Sequence, residues 1–254
     1  MNFYVFTFAL FWNIINLDAK YFQCDPQRPC GCGRQQVEIN TNRIINGEEA
    51  IPSSWSMIVS IRFDFFHDGN AFRHACGGTI LTDSYILTAA SCLEIVIDNI
   101  QTANVTIAAG IHRRSQPIQV IRDVDDIIIH PNWTGSSWAS DFDIALLHLA
   151  EPLDIQANTF LTRTCIPSQI DDHDQLLNYP GANTTLAVIG WGRINPFGDD
   201  SDALRQMMVA AIDPTNPKCM QIVPNATRQF CAGVLFDSIG NRTKKKLSIL
   251  FVNL

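Results

Sequence analysis

Two short motifs contain residues whose chemistry would suit nucleophilic catalysis. Asp143 stands in Asp141-Phe142-Asp143-Ile144-Ala145, and the apolar strand predicted after it favours a buried carboxylate. Ser91 stands in LTAASC, residues 87–92. Hydrolysis by nucleophilic catalysis can use a nucleophile, a base that takes its proton and a carboxylate that orients the base. A serine hydroxyl, whose pKa is far above 7, can donate a hydrogen bond to a carboxylate but cannot be that base.

Other motifs stand in a fixed order around these two. In chain order they are Arg43-Ile44-Ile45-Asn46-Gly47, Trp55-Ser56, Cys76-Gly77-Gly78, Asp143-Ile144-Ala145-Leu146-Leu147, Gly190-Trp191-Gly192 and Cys231-Ala232-Gly233. Over roughly residues 44–235 the set resembles the chymotrypsin/trypsin-like serine proteases (peptidase S1). The resemblance implies serine endopeptidase chemistry on a fold of two antiparallel barrels.

The resemblance also assigns roles to the residues of the site. It makes Asp143 the retained triad acid, and it places Ser91, inactive, at the position of the catalytic histidine. The Gly-Asp-Ser-Gly-Gly segment that carries the family's nucleophile is not in the sequence. We therefore expect a catalytically inactive chain, in which cleavage between Arg43 and Ile44 does not produce proteolysis and Ser91 bonds the Asp143 carboxylate.

No other histidine is expected to supply the missing base. Three of the six resemble non-catalytic histidines of the family, and three stand in no motif. The first group is His74, His112 and His130, and the second is His67, His148 and His173.

Two serines resemble a nucleophile only superficially. Gly198-Asp199-Asp200-Ser201 lacks the two glycines that should follow, so we predict that Ser201 is a loop residue. Ser238 is followed by Ile239 and fails for the same reason.

Composition excludes some classes of function. The chain has 254 residues, 46% of them hydrophobic, which is enough to bury a sizeable core. A net charge of −7 with only 18 Lys and Arg argues against a nucleic-acid partner. We expect no cofactor and no metal, since Ile111 stands where the family's calcium loop would carry a Glu ligand.

The N-terminal 19 residues are strongly apolar and fit a secretory signal peptide cleaved near Ala19. The alternative is an uncleaved membrane anchor, but the run is short for a spanning helix and contains Asn13 and Asn16. We therefore expect a secreted, extracellular protein without a membrane span.

Eight cysteines in a chain predicted to be secreted indicate four disulfides, although spacing alone does not pair them. The family resemblance implies the pairs Cys76–Cys92, Cys219–Cys231 and Cys32–Cys165, which leaves Cys24 with Cys30. The third pair would keep a propeptide attached after cleavage at Arg43. A metal site at Cys30-Gly31-Cys32 is the alternative, but no second close pair of ligands completes it.

The remaining sequence is a series of short β-rich runs separated by turn residues. Those of the first half are 56–62, 79–81, 85–89, 105–109, 118–129 and 144–149, and those of the second are 185–192, 207–212 and 230–235. Six runs suit a small antiparallel barrel. We predict an all-β, two-barrel trypsin-like serine protease fold with a complete first barrel and a truncated second one.

Four segments are predicted along the chain: a signal peptide (1–19), a propeptide (20–43), an incomplete peptidase S1 domain (44–236) and a non-homologous tail (237–254). For the tail we favour translated non-homologous sequence over a membrane-surface element built on Lys244-Lys245-Lys246. Glycosylation sequons, weak support for secretion, stand at Asn104, Asn132, Asn183, Asn225 and Asn241.

Three functions remain open. The favoured one is a secreted, non-catalytic protease homologue, expected to be a monomer, that binds a protein partner or a protease inhibitor. The second is a serine endopeptidase in a longer product, and the third is a truncated product without function. The loss of histidine at Ser91 counts against the second, because a longer C-terminus would not restore the base.

Overall fold

The structure, a computed structural model, consists mainly of antiparallel strands. It describes residues 19–22, 29–40, 47–64, 73–97, 104–117, 120–135, 142–166, 180–194, 199–221, 223, 229–233 and 251–252. Its strands are β1 (Ala19–Phe22), β2 (Val37–Asn40), β3 (Glu48–Glu49), β4 (Ile58–Asp64), β5 (Arg73–Ile80), β6 (Tyr85–Thr88), β7 (Asn104–Ala109), β8 (Val120–Ile129), β9 (Ala145–Leu149), β10 (Thr185–Gly190), β11 (Arg205–Ile212), β12 (Cys231–Gly233) and β13 (Phe251–Val252). A 3-10 turn (Ala90–Cys92) and two short helices, α1 (Glu94–Ile97) and α2 (Pro217–Met220), complete the described elements.

The first half of the chain forms a closed barrel in the order β4-β5-β6-β9-β8-β7, with β7 returning to β4. All of its strand pairs are antiparallel. Ile61, Ile107 and Leu147 fill its interior and are fully buried. This confirms the predicted first barrel, and closure leaves these six strands without an exposed edge.

The described residues of the second half form an open sheet in the order β12-β11-β10-β13, with β3 also paired to β11. Leu186, Val209 and Ala211 form the buried centre of one face. The all-β fold with an incomplete second barrel therefore agrees with the prediction. The tail predicted to be non-homologous adds Phe251–Val252 to the edge of β10.

A second buried cluster lies between the two halves, and we call it the seam. It contains residues from both halves and from the segment before the predicted cleavage site. Its members are Val37, Ile39, Ala50, Trp55, Met57, Ile58, Ala108, Ile111, Ala187, Ile189, Trp191 and Leu204. Val37 and Ile39, which we predicted to belong to a propeptide, are thus part of the buried core.

Two of the four predicted disulfides are confirmed, and two are wrong. Cys76–Cys92 and Cys219–Cys231 form as expected. Cys165, however, pairs with Cys30, and not with Cys32 as we predicted. Because Cys30 is taken by Cys165, the predicted Cys24–Cys30 pair is wrong as well.

The local backbone explains the corrected pairing. The Gly31 N–H bonds to Arg163 O at 2.7 Å, which brings Cys30 beside Cys165. Cys32 is also in a disulfide, and Cys24, which we had paired with Cys30, lies outside the described residues.

The corrected bridge gives a direct prediction. After cleavage at Arg43, the N-terminal fragment should stay attached on a denaturing gel without reductant and separate once reductant is added, because Cys30–Cys165 spans the cut. Cys30→Ser should release the fragment without reductant, whereas the matched Cys32→Ser variant should keep it. The reverse pattern would restore the pairing that we first predicted.

Candidate functional site

Ser91 lies in the 3-10 turn that follows β6. Ala90 and Leu93 on either side of it are fully buried, and they anchor the turn in the barrel core. The Cys76–Cys92 disulfide ties the same turn to β5. Anchors on both sides of Ser91 therefore fix its backbone while leaving its side chain at the surface.

Asp143 lies in a tight turn just before β9. The Ile144 N–H bonds to Phe142 O at 2.7 Å, which puts Asp143 at the apex. Phe142 has a φ of 62°, a strained value for a residue with a bulky side chain. Its ring stacks on His130 with centroids 4.5 Å apart. The stack stabilises a strained turn that presents the carboxylate to Ser91.

The Asp143 carboxylate accepts two hydrogen bonds from Ser91. The Ser91 N–H donates to Oδ1 at 2.7 Å, and the Ser91 hydroxyl donates to Oδ2 at 2.8 Å. The predicted hydrogen bond between the two side chains is therefore confirmed, and the backbone bond adds to it. Both carboxylate oxygens are engaged by one residue, so the pair is a well-defined structural contact.

The predicted burial of Asp143 is wrong. Ser91 and Asp143 are both exposed, and the neighbouring Ile144 keeps 44% of its surface accessible. The hydroxymethyl group of Ser91 reaches the carboxylate but is too small to cover it. Solvent meets the charge directly, so little desolvation penalty has to be offset here.

Chemically, the pair can hold a proton in place but has no group suited to move it. The Ser91 hydroxyl donates to Asp143 and so presents its proton to a carboxylate, which is far too weak a base to remove it near neutral pH. In a Ser-His-Asp arrangement the imidazole between these groups carries the proton. Asp143 is therefore placed to orient a base at position 91, but the residue at that position is a serine, which cannot act as the base.

The other described histidines have contacts of their own. His112 Nε2 lies 2.9 Å from Glu49 Oε1, and His148 Nδ1 lies 2.5 Å from Asp125 Oδ1. His130 supports the Asp143 turn through its stack on Phe142. None of these contacts is one between a histidine and the Asp143 carboxylate, and His67 and His173 lie outside the described residues.

His74 occupies a partly buried polar position beside the seam. Its Nδ1 lies 2.8 Å from Ser60 Oγ, and its ring meets Trp191 edge-on with centroids 5.6 Å apart. Arg62 Nε donates to the same Ser60 oxygen, which leaves the hydroxyl proton for Nδ1 of a neutral imidazole. Burial, reinforced by the charge of Arg114, lowers the pKa of His74 to about 4.

This pKa predicts an acid-sensitive fold. The unfolded chain takes up the His74 proton near pH 6.5 and the folded chain only near pH 4, so stability is lost as pH falls between these values. The contribution is about 3 kcal/mol. Urea denaturation at pH 7.5 and 4.5 should show a smaller acid loss for His74→Gln than for the unaltered chain. Equal losses would contradict a neutral, partly buried His74.

The remaining predicted residues have clear positions or lie outside the described residues. Ser201 is buried, and its hydroxyl donates to Ala203 O at 2.6 Å, which suits a structural serine. Asn132 and Asn183 are exposed, and the backbone of Asn104 begins β7. Residues that lie outside the described ranges are Arg43, Ile44, Asn225, Ser238 and Asn241.

Sequence reasoning missed two features of this region. One is the stack between His130 and Phe142, for which a bulky residue directly before Asp143 was the available signal. The other is a set of polar contacts across the seam. Ser115 donates to both Asp202 oxygens, from its N–H at 2.9 Å and its hydroxyl at 2.8 Å. Such pairs, 87 residues apart, have no local signature.

The helices in the described part of the chain are all too short or too polar to cross a membrane.

Comparison with known proteins places this geometry in a family. The sequence model of the Trypsin family matches residues 44–241. The chain is 31% identical to chymotrypsin-C of Mus musculus over 192 residues, 72% of this chain and 63% of that protein. It is 30% identical to proproteinase E of Bos taurus over 185 residues, 68% of this chain and 63% of that protein.

A third relative, chymotrypsin-C of Rattus norvegicus, is 30% identical over 181 residues, 69% of this chain and 59% of that protein. The chain thus spans about three fifths of the length of these relatives. The family match extends over the closed barrel and over every strand of the following sheet except β13. The chain therefore belongs to the trypsin family of chymotrypsin-like serine proteases, peptidase S1.

Proposed function

We propose that this protein is a secreted, non-catalytic member of the trypsin family that acts by binding a protein partner or a protease inhibitor. The observation that carries the proposal is the hydroxyl of Ser91, which bonds the Asp143 carboxylate where the family motif would place an imidazole. Without that imidazole a serine nucleophile has no general base.

The proposal does not depend on the length of the chain. The relatives are longer, and the Gly-Asp-Ser-Gly-Gly segment is not in this sequence. Supplying that segment would add a nucleophile but would leave Ser91 unchanged. The loss of the base is therefore the stronger argument for inactivity, because it applies to a longer product as well.

Serine endopeptidase activity in a longer product is the second candidate. It is favoured by the family match and by relatives named chymotrypsin-C and proproteinase E. It requires a base other than residue 91. His130, whose backbone N–H donates to Ile144 O beside the site, is the histidine to test for that role, although its ring is stacked on Phe142.

A truncated product without function is the third candidate. The closed barrel argues against a chain without a stable fold, because its six strands pair with one another and enclose their own hydrophobic core. Secretion is supported by three disulfides of the described chain and by the apolar N-terminal 19 residues.

The test of inactivity uses chromogenic amides and a fluorophosphonate probe. After cleavage at Arg43, hydrolysis of Arg, Lys, Phe and Leu amides should not exceed that of the heat-denatured chain, and the probe should not label the protein. Ser91→Ala, which removes only the hydroxyl, should give the same baseline. Labelling or turnover above this baseline would reject the non-catalytic assignment.

The test of binding uses immobilised chain and protein inhibitors of trypsin-like proteases, with plasmon resonance as the readout. Saturable binding of an inhibitor would support the decoy function. If no inhibitor binds, a protein partner of another class remains as the proposed ligand.

A further inference from the structure

The segment before the predicted cleavage site is bonded to the domain through its backbone. The Gly31 N–H donates to Arg163 O at 2.7 Å, and the Gln35 N–H donates to Ser53 O at 3.1 Å. These bonds join residues far apart in sequence. They hold the segment along the domain surface in addition to the Cys30–Cys165 bridge.

The fit between them is too close for most side chains. A Cβ added to Gly33 would lie 2.1 Å from Ser54 O, so the two backbones can approach only because residue 33 is glycine. The guanidinium of Arg34 lies 4.6 Å from the centre of the Phe160 ring, a cation–π contact. The segment is therefore matched to the surface beneath it at successive residues.

Further along, the segment enters the seam. Val37 and Ile39 keep only 7% and 1% of their surface exposed, and both belong to the buried cluster that includes Trp55 and Met57. Their spacing of two residues puts both side chains on one face of β2. Removing the segment would expose part of the surface on which the two halves pack.

Gln206 bonds the backbone between these two side chains. Its Nε2 donates to Glu38 O at 2.6 Å, while its Oε1 accepts from Trp55 Nε1 at 2.8 Å. Gln206 itself is 2% exposed. These two bonds fix the orientation of the buried amide, because its NH2 group must face the Glu38 carbonyl and its oxygen must face the Trp55 indole N–H.

We infer that the other members of the seam form a peptide-binding groove for Val37 and Ile39, and that residues 33–39 of this chain stay docked on the domain without the Cys30–Cys165 bridge. The groove takes an extended peptide with aliphatic side chains two residues apart and a free carbonyl between them. Cleavage at Arg43 then leaves the segment in place. The inference does not depend on whether the protein is catalytic.

The region after the cut is anchored as well. Glu48–Glu49 pairs with β11, and the Ala50 N–H bonds to Leu204 O at 2.9 Å. A cut between residues 43 and 44 therefore separates two segments that are each bonded to the domain. The groove should therefore retain the N-terminal segment whether or not the chain is cut between residues 43 and 44.

The experiment removes the covalent tether and asks whether the segment stays. The full chain carries Cys30→Ser and Cys165→Ser, and residues 41–46 are replaced by the recognition sequence of a site-specific protease. After cleavage, native mass spectrometry counts folded domain with and without the fragment. We expect the fragment to remain bound at micromolar protein.

Two further variants in the same background identify the contact. Ile39→Asp buries an unpaired carboxylate and should weaken retention about 100-fold, while the exposed Gln36→Asp should leave it unchanged. A free fragment beside a folded domain, or equal retention by both variants, would overturn the inference. Should the serine variants not fold, the same comparison is made with cysteines intact and reduced after cleavage.

Discussion

Replacing Ser91 by His, in a chain supplied with a relative's C-terminal segment from Cys231-Ala232-Gly233 onward, should yield an amidase. The expected gain over either change alone is about 10⁴-fold, because triad residues act as a unit. Asp143 is already held at the apex of its turn with both oxygens directed at residue 91. An imidazole at that position would find its orienting carboxylate in place, and the segment would supply the nucleophile and oxyanion donors.

The measurement is amide hydrolysis by four chains: the unaltered chain, Ser91→His, the C-terminal graft, and both changes together. Asp143→Asn in the double variant is the matched control and should lower turnover about 10⁴-fold, since the wrong imidazole tautomer is then favoured. If the graft alone is as active as the double variant, another group acts as the base and Ser91 is not the disabling change.

The barrel could be predicted closely because its sequence is locally consistent. Five of its six strands begin within two residues of the predicted runs. β5 is the exception, since it begins at Arg73 and runs through Gly77-Gly78, a pair that reads as a turn. Gly78 lies mid-strand because a Cβ there would be 2.7 Å from Ile86 Cγ2. Packing across the barrel thus overrides the local signal.

The residues of the site could be predicted from the sequence, but their exposure to solvent could not. The family resemblance predicted that Ser91 and Asp143 meet. Their exposure depends on how much of the carboxylate the neighbouring side chains cover, which no single motif reports. The Cys165 partner was missed for a related reason. Cys30 and Cys32 are two residues apart, and only the backbone path at Gly31 decides which one faces Cys165.

The seam was the least predictable part, because it is assembled from residues that are distant in sequence. Gln206 is its polar centre, bonded to Trp55, to Glu38 O and, at 3.2 Å, to Glu48 Oε1. In sequence it looks like an ordinary strand glutamine, since a polar residue in an alternating run is expected to face solvent. It is buried because β11 pairs with β10 and with Glu48–Glu49, while the Gln206 side chain itself bonds Glu38 O of the docked segment.

Gln206 should therefore be among the most sensitive positions for stability. Gln206→Leu keeps much of the volume but leaves the Trp55 indole N–H and the Glu38 carbonyl without partners, at a cost of about 3 to 5 kcal/mol. Gln206→Glu should be worse, because its carboxylate cannot donate to Glu38 O and would face Glu48.

Urea denaturation followed by tryptophan fluorescence measures these losses, since Trp55 and Trp191 both report on the seam. Gln221→Leu, the same substitution at an exposed glutamine, is the matched control and should change stability by less than about 0.5 kcal/mol. We expect the free energy of unfolding to be lowest for Gln206→Glu, higher for Gln206→Leu, and close to that of the unaltered chain for Gln221→Leu. If Gln206→Leu matched the control, the buried amide would add nothing measurable to the stability of the seam and would have no specifying role.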